Sequence, residues 1–438
     1  MATPVLPQII VEAALTSGNP VSGAGTLILN DSSFGLLDTD WLGSFDSWTD
    51  ITAYVRNFTI TRSSSRVQGP LLQYEAGTAV ITLNNSDGRF DPDNLSGPYV
   101  SSGVSQVHAM VPVRIRALFG ADEYPLFRGF ADSWQEPSIT FAGGVSDWTL
   151  SASDGFKILA GINLPAISPA GSGELTGARV NRILNAAGWY TGQGGGSRDT
   201  DTGNTPLQAT TFGDTVLNLL QLSVDSELGQ IYINGSGAVV FRARQALISD
   251  SRSVTSQATF GDNPAGSELP CATIGRADDD TTIANDIQVT RVGGTMQEVT
   301  DAPSITKYLF PRTYSRDDLI MVGDADALNW ATWILYISKD GEDRFESVTI
   351  DPQYQPTDLW PQVLGRDMGD RITTVRRPPG LASPITRDGF ISGVTHTYDV
   401  ASSAWVTTWT LQDASKYGSF FVLDNATTGQ LNNNALAF

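Results

Sequence analysis

Two stretches of this chain share one order of strand-like segments. In each, three short segments follow one another, with a glycine in the middle segment and Trp-Thr-Leu in the last. The segments are 113–115, 126–130 and 147–151 in the first stretch, and 370–372, 390–394 and 408–412 in the second. A repeated all-β unit predicts two similar small β-barrels in one chain. A ring of such chains would present twice as many similar modules as it has chains.

Length and composition set the number and kind of domains. With 438 residues the chain is too long for one ordinary core, and we expect about three domains. A hydrophobic content of 40% is enough to form several cores, while 43 glycines and 22 prolines suit a turn-rich β protein. The single cysteine, Cys271, excludes a disulfide framework and a multi-cysteine metal site, and we expect it to be a small buried hydrophobe.

The charge balance limits the partners. The chain carries 27 basic and 47 acidic residues, a net charge of −20. This excess opposes general binding to nucleic acid or to anionic lipid, both of which need basic residues. It is compatible with a passage along which DNA slides without adhering, because like charges repel.

The first residues do not resemble a targeting signal. Residues 2–15 include Pro4, Pro7 and Glu12 and have no basic start. No run approaches the roughly 20 apolar residues that span a bilayer. We expect a soluble chain, made in a cytoplasm, without membrane insertion.

The pattern of segments predicts a mainly β fold with an α+β insert. The expected parts are an N-terminal arm (1–45), a first β-barrel (46–160), an α+β insert (161–265), a second β-barrel (266–300 and 345–420), a helical insert (301–344) and a C-terminal tail (421–438). A strand at 287–291 is expected to start the second barrel.

The α+β insert is predicted to be two helices and a hairpin. Thr176 is placed to cap the first helix, which ends at Gly188, and Asp214 to cap the second, which ends at Gly229. A hairpin then turns at 234–237. A third helix, capped by Asp324 in the helical insert, has apolar residues on more than one face, which indicates contacts on two sides.

Few residues suggest chemistry. His108 and His396 are far apart in sequence and form a poor basis for a catalytic triad or a zinc site. The glycine-rich loop at 192–196 lacks the Gly-Lys-Ser/Thr of a phosphate loop. The acidic run 278–280 is typical of a solvated turn. No pair of carboxylates stands out for glycoside hydrolysis.

The segment 83–94 is rich in possible oxygen ligands and has Gly88 at the sixth place, as in a calcium loop. Leu83 at the first place and Asn94 at the twelfth do not fit such a loop. The sequence 85–88 is typical of a turn. We therefore predict an architectural turn in which Arg89 pairs with a carboxylate or caps backbone carbonyls and Phe90 packs beneath. We predict no metal, cofactor or catalytic residue.

Three motifs carry a resemblance to a known family. They are the strand and turn at 77–92, Gly97-Pro98-Tyr99, and the strand at 111–115. Together they resemble the minor tail proteins, or baseplate hub proteins, of long-tailed (siphovirus-type) phages that infect actinobacteria. The predicted helix-helix-hairpin insert and the segments 344–351, 359–361, 369–372 and 377–380 are also similar to that family, so the resemblance covers roughly 48–415.

The resemblance implies a structural protein of the phage tail tip. It implies a homotrimer whose paired tail-tube-like β-barrels meet a hexameric ring, with a distal tail protein or tail tube above and tip or fibre proteins below. Viral DNA would pass through the channel without specific binding, and part of the negative charge would line that channel. The protein would belong to the virion after assembly in the host cytoplasm. It implies no catalytic residues, and residues 1–45 match nothing in the family.

Three other functions remain open. A distal tail protein would form a hexamer with one barrel per chain, and the apparent second barrel speaks against it. A carbohydrate-binding adhesin would need exposed aromatic residues, whereas we expect the candidates to lie in cores or interfaces. These candidates are Trp41, Trp48, Trp134, Trp189, Trp330 and Trp405. A cell-wall hydrolase would need a site, and we find none.

Overall fold

A computed structural model describes residues 5–15, 48–65, 71–136, 146–189, 197–263 and 266–417. Most of the predicted N-terminal arm, including Trp41, lies outside the described residues. So do the glycine-rich loop at 192–196 and the predicted C-terminal tail at 421–438.

The first part of the chain is built of strands. In order they are β1 (Gln8–Ala13), β2 (Thr49–Asp50), β3 (Val55–Arg62), β4 (Ser64–Ser65), β5 (Gln73–Tyr74), β6 (Thr78–Asn84), β7 (Val100–Ser101), β8 (Val104–Ser105), β9 (Pro112–Phe119), β10 (Asp122–Gln135) and β11 (Asp147–Ser153), with a 3-10 helix at Thr52–Tyr54. In β6 and β11 every second residue is buried, which is the period of a strand with one face on a core.

The next part contains the predicted helices and hairpin. Its elements are α1 (Gly155–Gly161), β12 (Glu174–Leu175), α2 (Thr176–Ala186), β13 (Arg198–Thr200), β14 (Pro206–Leu207), α3 (Val216–Glu227), β15 (Gln230–Ile233), β16 (Val239–Arg242), α4 (Ala246–Ser249), α5 (Ser251–Val254), β17 (Thr259–Gly261) and β18 (Leu269–Pro270). The hairpin of β15 and β16 is confirmed. It turns where the Asn234 side chain accepts hydrogen bonds from the amides of Ser236 and Ala238.

The caps of the two helices differ from the predictions. Thr176 is the first residue of α2, and its hydroxyl donates to Glu227 instead of capping the helix. Thr215 caps α3 by accepting from the amide of Asn218, while Asp214 accepts from the Thr215 amide one residue earlier. Both differences are shifts of one residue.

The last part returns to strands. Its elements are β19 (Thr273–Asp279), β20 (Asp286–Arg291), β21 (Gln297–Thr300), α6 (Ala302–Tyr308), β22 (Thr313–Leu319), α7 (Asp324–Ser338), β23 (Glu342–Ile350), α8 (Pro356–Gly365), β24 (Arg371–Arg376), β25 (Ile385–Asp399) and β26 (Ala404–Asp413), with a 3-10 helix at Pro352–Tyr354. The predicted third helix is α7, in which Asp324 is the first residue and Gly323 the cap.

Fourteen of the described strands form one sheet. Its main path runs β18-β17-β24-β25-β3-β6-β11-β10-β9-β1-β2, and a branch from β25 continues through β26 and β23 to β19. Strand β25 has 15 residues and is therefore long enough to pair with strands of both parts. Its residues 385–390 pair with β24, its residues 394–399 pair with β3, and β26 lies along its other edge.

The two predicted repeats are two antiparallel three-stranded meanders, β9-β10-β11 and β24-β25-β26. Trp148 and Trp409 both lie on the third strand, and in each meander the middle strand has a bulge against the third. The registers differ, however. Trp409 pairs with Val394, next to Gly393, whereas the pairing of β10 with β11 places Leu150 opposite Trp134, five residues beyond Gly129.

The predicted pair of separate closed barrels is not what the described residues form. Hydrogen bonding through β25 merges both meanders into one sheet that does not close on itself. One hydrophobic core serves both halves, from Val11 and Phe58 to Trp405 and Leu411. The strand predicted at 287–291 exists as β20, but it pairs with β21 and β22 in a separate sheet that packs on α7.

Candidate functional site: assembly surfaces

The outward side of the large sheet carries a row of hydroxyl side chains that crosses seven strands. Each member is the direct cross-strand partner of the next. The row is Ser153 (β11), Thr78 (β6), Thr61 (β3), Thr395 (β25), Thr408 (β26), Thr349 (β23) and Thr273 (β19). All seven are exposed or half-buried, and on every strand of the row except β19 the residues on either side of them are buried.

A second row lies beside the first. It consists of Ser151, Val80, Thr59, Thr397 and Val406, again in direct cross-strand pairs. Val80 and Val406 are 43% and 38% exposed. The twelve side chains of the two rows, which we call the hydroxyl face, are eight threonines, two serines and two valines, without a charge. Thr349 and Thr408 lie within hydrogen-bonding distance, 3.1 Å between their hydroxyl oxygens.

The same side of the sheet is charged on β1, β9 and β10. Arg128 and Phe130 alternate with buried residues, and Phe130 pairs with Ser153, so these side chains share the outward side. Arg128 pairs with Arg114, which in turn pairs with Glu12. We call this part the charged face.

The charged face is held by ion pairs. Glu12 accepts from Arg114 at 2.6 Å and from Arg116 at 3.0 Å. Burial acts to raise the pKa of the Glu12 carboxyl, but the hydrogen bonds and charges of the two arginines outweigh it and hold this pKa below its usual value. The indole of Trp48 lies 4.3 Å from the Arg114 guanidinium, a cation–π contact that covers part of this face.

In the segment that resembles a calcium loop, the predicted roles of Arg89 and Phe90 are confirmed. The Arg89 guanidinium donates to Asp87 at 2.8 Å and stacks 3.7 Å from the centre of the Tyr54 ring. Phe90 is fully buried, and its amide donates to the side chain of buried Asn85 at 2.8 Å. Because Asp87 already pairs with Arg89, this carboxylate serves the turn.

The two histidines that were considered for catalysis and for zinc binding lie in different environments. His108 is exposed, and His396 on β25 is buried, with Nδ1 2.9 Å from the hydroxyl of Thr407 on β26. Burial, aided by the charge of Arg62, lowers the pKa of His396 to about 3, so its imidazole is neutral at ordinary pH. Among the described residues no group of three His, Cys, Asp or Glu side chains is close enough to hold a metal ion.

Two further titratable groups are structural. Cys271 is half-buried rather than fully buried as expected, and burial raises the pKa of its thiol to about 11, which opposes a nucleophilic role. Asp154 caps α1 and accepts from the amides of Phe156 at 2.9 Å and Gly77 at 2.6 Å. Burial raises the pKa of Asp154 to about 7 against the effect of these hydrogen bonds.

A polar cavity of about 310 Å³ lies between β15, β16, α4, α5 and the turn at 367–370. Four of its charged groups form ion pairs within the lining. Arg242 pairs with Asp199, and Arg252 pairs with Asp370. Arg62, buried on β3, reaches Asp367 at 2.7 Å beside this cavity. The cavity therefore lies at the junction between the insert and the large sheet.

Most of the tryptophans considered for carbohydrate binding lie in cores. Trp189, Trp330 and Trp405 are at most 8% exposed. Trp48 and Trp134 are half-buried, and Trp134 stacks on Phe90. The large apolar side chains that are most exposed in the described chain stand elsewhere, at Leu309 and Phe310 after α6 and at Tyr354. No sequence pattern had indicated these three residues.

No described helix is both long and apolar enough to cross a bilayer. Comparison with protein-family models and with curated protein sequences finds no match. Similar solved structures do exist.

Two solved tail proteins share most of this architecture. The tail protein from Neisseria meningitidis MC58 superposes with a TM-score of 0.57 at 13% identity, covering 85% of this chain and 96% of that one. The 43 kDa tail protein of prophage MuSo2 from Shewanella oneidensis gives a TM-score of 0.53 at 12% identity, covering 94% and 98%. At such identities the likeness concerns the fold, and this chain has the fold of phage tail proteins.

Proposed function

We propose that this chain is a structural baseplate hub protein of a phage tail tip. Three copies form a ring that joins the distal tail ring or tail tube above to tip or fibre proteins below. The ring surrounds part of the channel through which viral DNA leaves, and the protein is part of the virion after assembly in the host cytoplasm. We assign it no catalytic step and no cofactor. The siphovirus-type phage and its actinobacterial host rest on the sequence motifs at 77–92, 97–99 and 111–115.

The observation that carries this proposal is the pair of meanders joined by β25 in a chain with the fold of tail proteins. Each chain brings two three-stranded modules with the same strand order. Three chains would then present six modules to a six-fold ring, although the two registers differ and the match would be approximate.

The ends of the sheet support assembly through edges. Within the described residues, β2 pairs only with β1, and β19 pairs only with β23. An edge strand has unpaired backbone groups that can pair with another chain. Continuation of the sheet from one copy to the next would give a closed ring without requiring a closed barrel inside any one chain.

The mass of the soluble assembly tests this proposal. Light scattering coupled to gel filtration, or native mass spectrometry, should give three times the chain mass of 46.8 kDa. Six copies would identify the runner-up, a distal tail protein. A monomer at all concentrations would overturn both ring proposals, and a reconstruction of the tail that places the chain away from the tip would overturn the hub.

A further inference from the structure

We infer that the hydroxyl face lines the DNA channel, as a neutral wall past which duplex DNA slides. This inference rests on the proposed ring and specifies which surface of the chain meets the DNA. Its basis is the chemistry of the twelve side chains in the two rows, their exposure and their continuity across both halves of the sheet.

The lack of charge is specific to this part of the sheet. On the same outward side, β1, β9 and β10 carry Glu12, Arg114 and Arg128. The first row, from β11 to β19, and the second row, from β11 to β26, contain no charged residue in a chain with 74 of them, the sum of 27 basic and 47 acidic residues. Contact with bulk water alone does not explain this division within one sheet.

The composition also argues against a protein interface. Interface centres are enriched in aromatic residues, Met and Arg and are depleted of Ser. The hydroxyl face has none of the enriched types, and the largest side chains on it are those of Val80 and Val406. A second copy of the chain would find no anchor residue on this surface.

The same chemistry suits a surface that DNA must pass. Binding to duplex DNA depends on Lys and Arg, which neutralise phosphates and release counterions. Threonine and serine cannot do this, and their short side chains do not reach far from the sheet. Threonine is β-branched and stiff at χ1. The contact between Thr349 and Thr408 further restricts these two side chains.

Acidic residues stand beside the neutral face. Asp147 begins β11, and Asp399 ends β25 at the same end of the sheet, where it pairs with Asn57. Arg56 lies 3.5 Å from Asp147, so the excess of negative charge at this end comes from Asp399. The sequence predicted that negative charge lines the channel in part. On this assignment the wall is neutral, and an acidic group stands at its rim, where it would repel phosphates.

Cysteine labelling of the assembled protein tests the location of the face. In a Cys271→Ala background, Thr78→Cys should react with a small maleimide but not with a maleimide carried on a globular protein wider than duplex DNA. Ser315→Cys, on the exposed side of β22, should react with both. If Thr78→Cys reacts with neither reagent, the face is buried between subunits, and if it reacts with both, the face lies outside. Either result overturns the inference while leaving the trimer intact.

Lysine substitution tests the contact with DNA directly. The triple variant Thr61→Lys, Thr395→Lys, Thr408→Lys should retain linear duplex DNA in the ring, with a logarithmic salt dependence of about −0.9 per neutralised phosphate. Closed circular DNA cannot thread a closed ring and should not be retained. The control variant Thr300→Lys, Thr306→Lys, Ser315→Lys changes exposed residues elsewhere and should treat both DNA forms alike.

Gel filtration of each variant shows first whether the ring forms. If the lysine variant forms the trimer and binds linear and circular DNA equally, or binds neither, the channel assignment is wrong. If the wild-type chain itself is a monomer, the proposed ring fails, and the assignment fails with it.

Discussion

The ring of Phe58 on β3 meets the indole of Trp405 on β26 edge to face, with 5.6 Å between centroids and 85° between planes. Both residues are at most 1% exposed. Phe58 belongs to the first half of the sheet and Trp405 to the second, so the contact joins the two halves within one core.

This shared core predicts a cooperative loss of stability. Trp405→Ala should lower the free energy of unfolding by about 3–5 kcal/mol, the usual cost of removing a large buried aromatic side chain. Both halves should unfold in one transition in urea when unfolding is monitored by near-ultraviolet circular dichroism. Val406→Ala, an exposed neighbour on the same strand, is the matched control and should cost little. Separate transitions for the two halves would contradict the single core.

The turn at 83–94 predicts a contrast between two adjacent asparagines. Asn85 is buried and accepts from the Phe90 amide, whereas half-buried Asn84 accepts from the exposed Ser86 amide. Asn85→Ala should cost about 1–3 kcal/mol because a buried donor loses its partner, and Asn84→Ala should cost less. Thermal unfolding measures both. If calcium restored the stability of Asn85→Ala, the turn would be a metal loop.

The sequence predictions were accurate where a structure depends on residues close in sequence and less accurate where it depends on distant residues. The hairpin at 234–237 and the pairing of Arg89 depend on residues close in sequence, and both were confirmed. The expectation of two tandem barrels is not confirmed, because the pairing of β25 with β3 joins residues more than 300 positions apart in one sheet. Local patterns specify strands but do not specify their partners.

The hydroxyl face shows the same limit. Some of its members are visible in the sequence as threonines on either side of one other residue, an isoleucine at 59–61 and a histidine at 395–397. That alternation predicted half-buried strands. It could not show that seven such strands place their hydroxyl groups in one row, because the row depends on six cross-strand registers.

The buried imidazole of His396 predicts a loss of stability in acid. Its pKa is about 3 in the folded chain, against 6.5 for an ordinary exposed histidine, so the folded protein binds fewer protons than the unfolded chain between these values. The stability that comes from keeping the His396 imidazole neutral is fully present above pH 6.5 and is lost as pH falls towards 3. In this range the free energy of unfolding falls by about 1.4 kcal/mol for each tenfold rise in proton concentration.

Substitution isolates this contribution. His396→Asn should be less stable than the wild type at pH 8, and the difference in unfolding free energy should shrink as pH falls below 6.5, because only the wild type must charge a buried ring. His108→Asn changes an exposed histidine and serves as the control. A constant difference from about pH 8 to about pH 4 would show that His396 does not govern the acid response.

Glu227 should be essential to the insert. It is fully buried at the end of α3 and accepts hydrogen bonds from the Thr176 hydroxyl at 2.9 Å and the Thr205 amide at 2.7 Å. A third donor, the amide of Asn204, reaches it at 2.9 Å. The carboxylate therefore ties the start of α2 and the loop at 204–205 to α3.

Glu227→Ala would leave these three donors without their acceptor. Of the three, only the Thr205 amide is a buried donor left unsatisfied, because Asn204 is exposed and the Thr176 hydroxyl also lies 3.3 Å from the Thr205 carbonyl, so we expect a loss of about 1–3 kcal/mol. Hydrogen exchange should show the amides of Asn204 and Thr205 losing protection first, before those of β3 and β25 in the large sheet. Glu298→Ala, at an exposed carboxylate on β21, is the control and should leave the exchange pattern unchanged. Equal loss of protection in the insert and the large sheet would instead mean that the two unfold as one unit.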